Sequence, residues 1–564
     1  MKKEIQDAYN TWLENATIDE DVVSELKHMQ GQEDKIEDAF YRELAFGTGG
    51  LRGVIGAGTN RMNAYTVAKA SQGLADYILA HFEEKDRKIA VSYDSRIKSD
   101  YFAHIAAGVF AANGIQVLLY KELMPTPCLS FAVRELRCAA GIMVTASHNP
   151  SKYNGYKVYG FDGCQITTEA AKEILGEIEK LDIFEDVKKI SFEEGIEKGT
   201  IRYIPDEIYS NFVQAVKAQT MLSENIRIDK NVAIVYSPLN GAGLKPVLRT
   251  LKESGYTNIT VVKEQEQPDG NFPTCPYPNP EIKEAMALGM QYAKEKNADL
   301  LLATDPDCDR VGIAVKNNAG EYVLLTGNET GMLLLDYICA RRIEQNKMPE
   351  VPVLVKTIVT IDMAERIAAH YGVRTVNVLT GFKFIGEQIG MLENQGKKES
   401  YIFGFEESYG YLSGTYVRDK DAVNGAFLIC EMFAYYKTMG ISLWDKLDEL
   451  YQTYGYCLNT LHSYEFEGIS GFERMQKLMT VFRGNIVEFG GKKIKKCLDY
   501  SVGLDGLPQS DVLKFVLEDN CSVVIRPSGT EPKLKAYISV SAAKKSLLED
   551  IEANIAKSLQ EYIL

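Results

Sequence analysis

"GIMVTASHNPSKYNGYKVYG", residues 141–160, begins as a buried strand and then breaks off. Gly141 to Val144 are apolar, and such a run bounded by turn residues fits a strand covered on both faces. Outward from it the same kind of run recurs: "KIAVSYD" (88–94), "IQVLLY" (115–120), "NVAIVYS" (231–237), "ADLLLAT" (298–304), "VPVLVKTIVT" (351–360) and "YIFGF" (401–405). Helical stretches such as "GLKPVLRTLKESG" (243–255) lie between most of them. Strand–helix alternation implies parallel or mixed sheets with helices on their faces, an α/β chain. The ends differ. "DVVSELKHM" (21–29) repeats apolar residues at helical spacing, and "SVVIRPSGTEPKLKAYISV" (522–540) reads as strand–loop–strand in an α+β terminal domain.

The 564 residues are 45% hydrophobic and 25% charged, ordinary for globular chains, and at roughly 100–200 residues per domain they predict about three to five domains. With no repeat or low-complexity linker, the boundaries are placed at 1–205, 206–325, 326–445 and 446–564. The formal charge of −15 argues against a nucleic-acid partner. The ten cysteines contain no CxxC pair, which argues against a disulfide framework or thiolate zinc site. The N-terminus is polar and no apolar run approaches the ~18–20 residues that span a bilayer, so the expectation is a cytoplasmic protein without a membrane partner.

Ligands of such sheets bind beyond the carboxyl ends of the strands, so the loops after the strands carry the chemistry. After "AAGIMVT" come Ser147 and His148. Side chains adjacent in an extended chain point to opposite faces, so adjacency alone makes no dyad. Ser147 reads either as a turn residue before Pro150 or as a serine carrying a covalent phosphate, with Lys157 as a cation or proton carrier. After "ADLLLAT", Asp305, Asp307 and Asp309 alternate, so three carboxylates can converge. Such a trio repels itself unless a cation sits among it, and hard oxygen donors favour Mg²⁺, Mn²⁺ or Ca²⁺. An EF-hand fails, because Arg310 stands where Gly is wanted and Lys316 where Glu is wanted. Arg310 can instead bind phosphate oxygens as a fork.

A third loop after "YIFGF" holds Glu406, Glu407 and Ser408, groups suited to sugar hydroxyls. Thr380, Gly381 and Lys383 lie in a loop upstream, and Lys420 lies in "RDKDAV" (418–423). A fourth loop, "RPSGTEP" (526–532), offers Arg526, Ser528, Gly529 and Thr530 as an oxyanion cradle, and no Walker A sequence occurs.

Five motifs in order, "FGTGGLRG" (46–53), "TASHNP" (145–150), "DPDCDR" (305–310), "FEES" (405–408) and "RPSGTEP" (526–532), resemble the α-D-phosphohexomutase family of phosphoglucomutases and phosphomannomutases. The resemblance implies four domains around a central cleft, three of related mixed α/β topology and a smaller α+β fourth. It implies an intramolecular phosphotransferase, an isomerase acting on a small-molecule sugar phosphate. Its roles carry over to Ser147 as phosphoserine and to Asp305, Asp307 and Asp309 as Mg²⁺ ligands together with a phosphoserine oxygen. Arg52 and Arg310 fall near the transferring phosphoryl group, with His148 and Lys157 flanking it. Lys157 is the acid/base candidate if neighbouring cations lower its pKa. Glu406 and Ser408 hold sugar hydroxyls, and Arg526, Ser528, Gly529 and Thr530 hold the phosphate that is not reacting. Glucose 1,6-bisphosphate is the implied intermediate and activator, and a monomer or homodimer is expected. Two departures stand out. Gly410 replaces the histidine of some phosphomannomutase-type members, with Lys420 as the counterpart, and Pro306 replaces a common glycine. Both favour glucose 1-phosphate/glucose 6-phosphate chemistry or a phosphopentomutase over a phosphomannomutase. Two rival readings are a haloacid-dehalogenase-type phosphatase with Asp307 as nucleophile and a non-catalytic sugar-phosphate-binding protein.

Overall fold

The strands that end in these loops lie in three sheets with one shared connectivity. The computed structural model describes residues 2–563 except 48, 224, 225, 467, 505 and 528–532, and the backbone alone at 468–470, 472 and 473. In the first sheet four neighbours run in the order Tyr153–Gly160, Ala140–Val144, Lys88–Tyr93, Gln116–Leu119. In the second the order is Val311–Lys316, Leu300–Thr304, Ile234–Ser237, Ile259–Val261. In the third it is Tyr411–Leu412, Tyr401–Phe405, Val353–Thr357, Arg374–Val378. Each time the first strand in chain order pairs in parallel with the second on one side and the third on the other, and a fourth returns antiparallel to the third. Helices make the parallel crossovers, as a parallel connection requires.

This connectivity positions the site. The third strands are buried along their whole length, so their ends are fixed by packing. Each then leads into the loop before the antiparallel return, and those three loops hold Ser147, the Asp305–Asp309 run and Glu406–Ser408. Further strands extend the first sheet, among them Gly50–Val54, which pairs antiparallel with Tyr153–Gly160 on one side and Phe46–Gly47 on the other.

The fourth unit is a six-stranded antiparallel sheet, from Tyr456–Glu465 at one edge to Glu488–Phe489 at the other, with helices Gly468–Phe482 and Leu548–Ile563. The boundary expected at 445/446 falls inside helix Leu443–Tyr454. Its apolar face (Leu443, Leu447, Leu450) belongs to the core of the preceding domains. Gly455, at φ 92, ends that helix and turns the chain into the new sheet.

One continuous apolar cluster joins the first three domains, with Phe131, Phe212 and Tyr416 packed edge to face or tilted where they meet. The fourth has its own core and meets the third through a small cluster that includes Ile358, Leu379, Tyr500 and Val524. The N-terminal helices Lys3–Asn15, Glu20–His28 and Glu33–Phe40 pack around Trp12 against the first domain. Among the described residues no helix is long and apolar enough to cross a membrane.

Candidate active site

Ser147 sits at φ 52, a left-handed conformation that costs an L-residue roughly 1–2 kcal/mol. Its surroundings hold it there. The amide of Ser147 donates to Thr145 Oγ1 at 2.8 Å, and that hydroxyl donates to Asp94 Oδ2 at 2.6 Å. The fully buried Arg96 guanidinium staples the rest of the loop. Its Nε donates to the Ser147 carbonyl at 3.2 Å, its Nη1 to Pro150 and Tyr153 carbonyls at 3.0 Å each, and its Nη2 to the Ser147 and Asn149 carbonyls. Asp94, 3.6 Å from Arg96, closes the network. The sequence reading missed both residues. The signal available was "YDSR" (93–96), a charged pair directly after an apolar strand.

The expectation that Ser147 and His148 point apart fails for the same reason. The serine is not extended, and its Oγ lies 3.3 Å from His148 Nδ1. Burial, together with the charges of Arg310 and Arg52, pushes the imidazole well below its usual range. Both effects favour the neutral imidazole beside Ser147.

Ser147 Oγ also donates to Asp305 Oδ2 at 3.0 Å, which joins the first domain's loop to the second domain's acidic loop. The three carboxylates converge as their spacing predicts, with one oxygen of each within 4.8 Å of the others. Asp305 has both oxygens tied to protein, Asp307 and Asp309 one each. Asp305 Oδ1 accepts the amides of Asp309 and Arg310 at 3.0 Å each, and Asp307 Oδ2 accepts Lys157 Nζ at 2.7 Å. Asp309 Oδ2 meets Lys420 Nζ at 2.9 Å and Lys157 Nζ at 3.3 Å. The buried Oδ1 atoms of Asp307 and Asp309 have no hydrogen-bond partner among the described residues. Buried oxygens without partners beside a third carboxylate and a serine hydroxyl are a donor set that fits a hard metal ion.

Burial pushes the Asp305 carboxyl well above the usual range, and Asp309 and Asp307 add to it. For Asp307 burial acts the same way, but Lys157 and Lys420 outweigh it and hold the acid ionised. The expected lowering of the Lys157 pKa by neighbouring cations is not what the geometry gives. Burial does lower it, yet Asp307 and Asp309 prevail and the direction is upward. Lys420 shifts upward too: burial opposes the charge, and Asp309 and Asp419 overcome it. Arg310 pairs through Nη1 with Glu281, a partner not anticipated from sequence.

Glu406 is buried in the loop after Tyr401–Phe405, and burial raises its carboxyl to about 7 against the pull of Lys420. Ser408 is half-buried in the same turn. A Cβ at Gly410 would lie 2.5 Å from Lys420 Cδ, so a histidine there and this lysine position exclude one another. That accounts physically for the pairing of Gly410 with Lys420.

The other expected residues stand further out. Arg52, exposed on strand Gly50–Val54, reaches Asn149 Oδ1 at 3.4 Å. Thr380 and Gly381 precede helix Phe382–Asn394, and the Lys383 carbonyl accepts Cys164 Sγ at 3.3 Å, so this loop meets the first domain's Cys164. Arg526 is the penultimate residue of strand Ser522–Pro527 in the fourth domain, and its charge acts on Glu407 and Tyr537. Ser528, Gly529 and Thr530 lie outside the described residues.

Four family models match in order. Three are the alpha/beta/alpha domains I, II and III of phosphoglucomutase/phosphomannomutase, over residues 43–184, 210–320 and 326–454, and the fourth is its C-terminal domain, over 474–558. A phosphoglucomutase of Staphylococcus saprophyticus is 34% identical over 562 residues, covering 97% of this chain and 99% of the relative. One from Staphylococcus aureus is 37% identical over 549 residues, covering 94% and 95%. Among solved structures, the open form of the exocytosis-sensitive phosphoprotein pp63/parafusin (phosphoglucomutase) from Paramecium has a TM-score of 0.69 at 17% identity, covering 93% of this chain and 94% of that one. A phosphoglucomutase/phosphomannomutase family protein from Burkholderia thailandensis has a TM-score of 0.68 at 17% identity, covering 92% and 97%. These two structures share the fold; the sequence matches carry the kinship. The chain belongs to the phosphoglucomutase/phosphomannomutase family.

Proposed function

We propose that the chain is a phosphoglucomutase, interconverting α-D-glucose 1-phosphate and glucose 6-phosphate through a phosphoserine at Ser147. The observation that carries this reading is the bond from Ser147 Oγ to Asp305 Oδ2 at 3.0 Å, which places a hydroxyl of one domain on the acidic triad of another. Asp305, Asp307, Asp309 and the Ser147 oxygen would hold Mg²⁺, which when bound draws charge from phosphoryl oxygens as a Lewis acid.

The chain's own residues do the rest. The phosphoryl group leaves Ser147 Oγ for the free hydroxyl of a bound sugar monophosphate: the P–Oγ bond breaks, a P–O bond to the sugar forms and, in net terms, the hydroxyl's proton passes to Oγ. The bisphosphate, glucose 1,6-bisphosphate, turns within the site and returns its other phosphoryl to Oγ, whose proton passes to the sugar oxygen left behind. Arg96 and Thr145 keep Oγ in place, which in-line transfer requires. Lys157 and Lys420, held charged by Asp307 and Asp309, offset phosphoryl charge and supply protons. Glu406 and Ser408 hold the sugar hydroxyls. Arg526 with Ser528, Gly529 and Thr530 holds the distal phosphate in either sugar orientation.

Steady-state kcat/KM on the 1-phosphates of glucose, ribose, deoxyribose, mannose and glucosamine, with Mg²⁺ and glucose 1,6-bisphosphate, tests the sugar. Glucose 1-phosphate is expected to be turned over best, and preference for a pentose phosphate would reassign the chain as a phosphopentomutase. Ser147→Ala is expected to abolish turnover and phosphate incorporation from bisphosphate. Full activity in that variant, or a hydroxylamine-labile aspartyl phosphate in the wild type, would overturn the mechanism.

A further inference from the structure

Helix Thr126–Glu135 of the first domain begins against the acidic loop of the second. Thr126 is fully buried, and "MPTPCLS" (124–130) entered no reading of the site from sequence. The amide of Thr126 donates to the Asp307 carbonyl at 3.0 Å, and its Oγ1 donates to Asp307 Oδ2, also at 3.0 Å. The amide is one that a helix start cannot satisfy internally, and the positive end of the helix faces a carboxylate.

The carboxylate of Asp307 is therefore held asymmetrically. Oδ2 takes two donors, Thr126 Oγ1 and Lys157 Nζ, while Oδ1 is buried without a partner among the described residues. Both donors come from the first domain, and Asp307 belongs to the second. They differ in stiffness. Lys157 reaches Oδ2 through a four-carbon chain and is also shared with Asp309. Thr126 is β-branched, short and anchored at its own amide, so it fixes the rotation of the carboxylate. We propose that Thr126 is a positioning residue of the metal centre: its hydroxyl locks Asp307 with Oδ1 turned to the ion, and thereby ties ion affinity to the docking of the first domain on the second.

This rests on the reading of the triad as a metal site, so the test separates the two. Free Mn²⁺ is titrated by electron paramagnetic resonance against the full chain, its Asp307→Asn variant and three variants of Thr126. The wild type is expected to bind one Mn²⁺, and Asp307→Asn to lose it. Thr126→Val keeps the shape and the amide but removes the donor. It is expected to raise the Mn²⁺ dissociation constant about 10- to 100-fold, the usual effect of losing a partner that orients a ligand, with an unchanged circular dichroism spectrum. Thr126→Ala repeats the loss of the donor without filling the packed site, and Thr126→Ser is expected to restore affinity to within about threefold. Wild-type affinity in both Thr126→Val and Thr126→Ala would overturn the proposal, as would a Thr126→Ser variant as weak as Thr126→Val. A wild type that binds no Mn²⁺ would sink the metal reading and this proposal with it.

Discussion

Arg96→Lys isolates the part played by the serine loop's scaffold. The guanidinium serves four carbonyls, those of Ser147, Asn149, Pro150 and Tyr153, and pairs with Asp94. Lysine keeps the positive charge, so Asp94 is not stranded, but a single ammonium cannot span four acceptors set around a planar fork. Two carbonyls at least lose a charged donor worth about 1.5–3 kcal/mol each, a loss of about 3 kcal/mol or more in a loop whose Ser147 is itself strained at φ 52. That exceeds the roughly 1–2 kcal/mol the left-handed conformation costs, so the loop relaxes and Oγ leaves its 3.0 Å contact with Asp305. A displacement of about 1 Å is enough to cost ~100-fold in rate, equivalent to about 2.7 kcal/mol. In the proposed mechanism the sugar and its distal phosphate are held by other loops, so KM is expected to change by less than about threefold. Initial rates on the preferred sugar phosphate, followed by coupled oxidation of the product, give the split between kcat and KM. A variant with wild-type kcat, or one whose loss lies wholly in KM, would refute the scaffold role.

Two further outcomes follow from the third domain. Burial pushes the Asp421 carboxyl up to about 6, against hydrogen bonds from Tyr416 and the amides of Asn424 and Val423. Its folded-state pKa is raised, so the group costs stability fully above about pH 6, and the cost fades as pH falls toward its unfolded value. At neutral pH the cost is about 3 kcal/mol, and Asp421→Asn, which keeps an oxygen for the two amides, is expected to shift the urea midpoint upward at pH 7 and progressively less toward pH 4. A shift of equal size at both pH values would contradict the burial of a charged Asp421. Gly410→Ala places a Cβ 2.5 Å from Lys420 Cδ and is expected to displace that ammonium from Asp309, lowering kcat about tenfold with the overall fold retained. Wild-type kcat in this variant would show that the Lys420–Asp309 contact is dispensable.

The sequence by itself determined the sheet-forming strands, the α/β alternation and the residue types at the site. Apolar runs such as "ADLLLAT" can be satisfied only by burial on both faces, and three alternating aspartates invite a cation whatever surrounds them. The boundary near 445 was not legible. Helix Leu443–Tyr454 ends at a glycine, but whether its apolar face serves the third or fourth domain depends on which core receives Leu447 and Leu450. Tertiary structure alone decided the rest. Whether Ser147 faces His148 turns on one backbone angle that Arg96, 51 residues away, maintains. The charge state of Lys157 depends on distances to Asp307 and Asp309, 150 and 152 residues along the chain. Local sequence fixes what a residue can do. Which oxygen it meets, and how far from water, is set by contacts between domains that spacing along a chain does not encode.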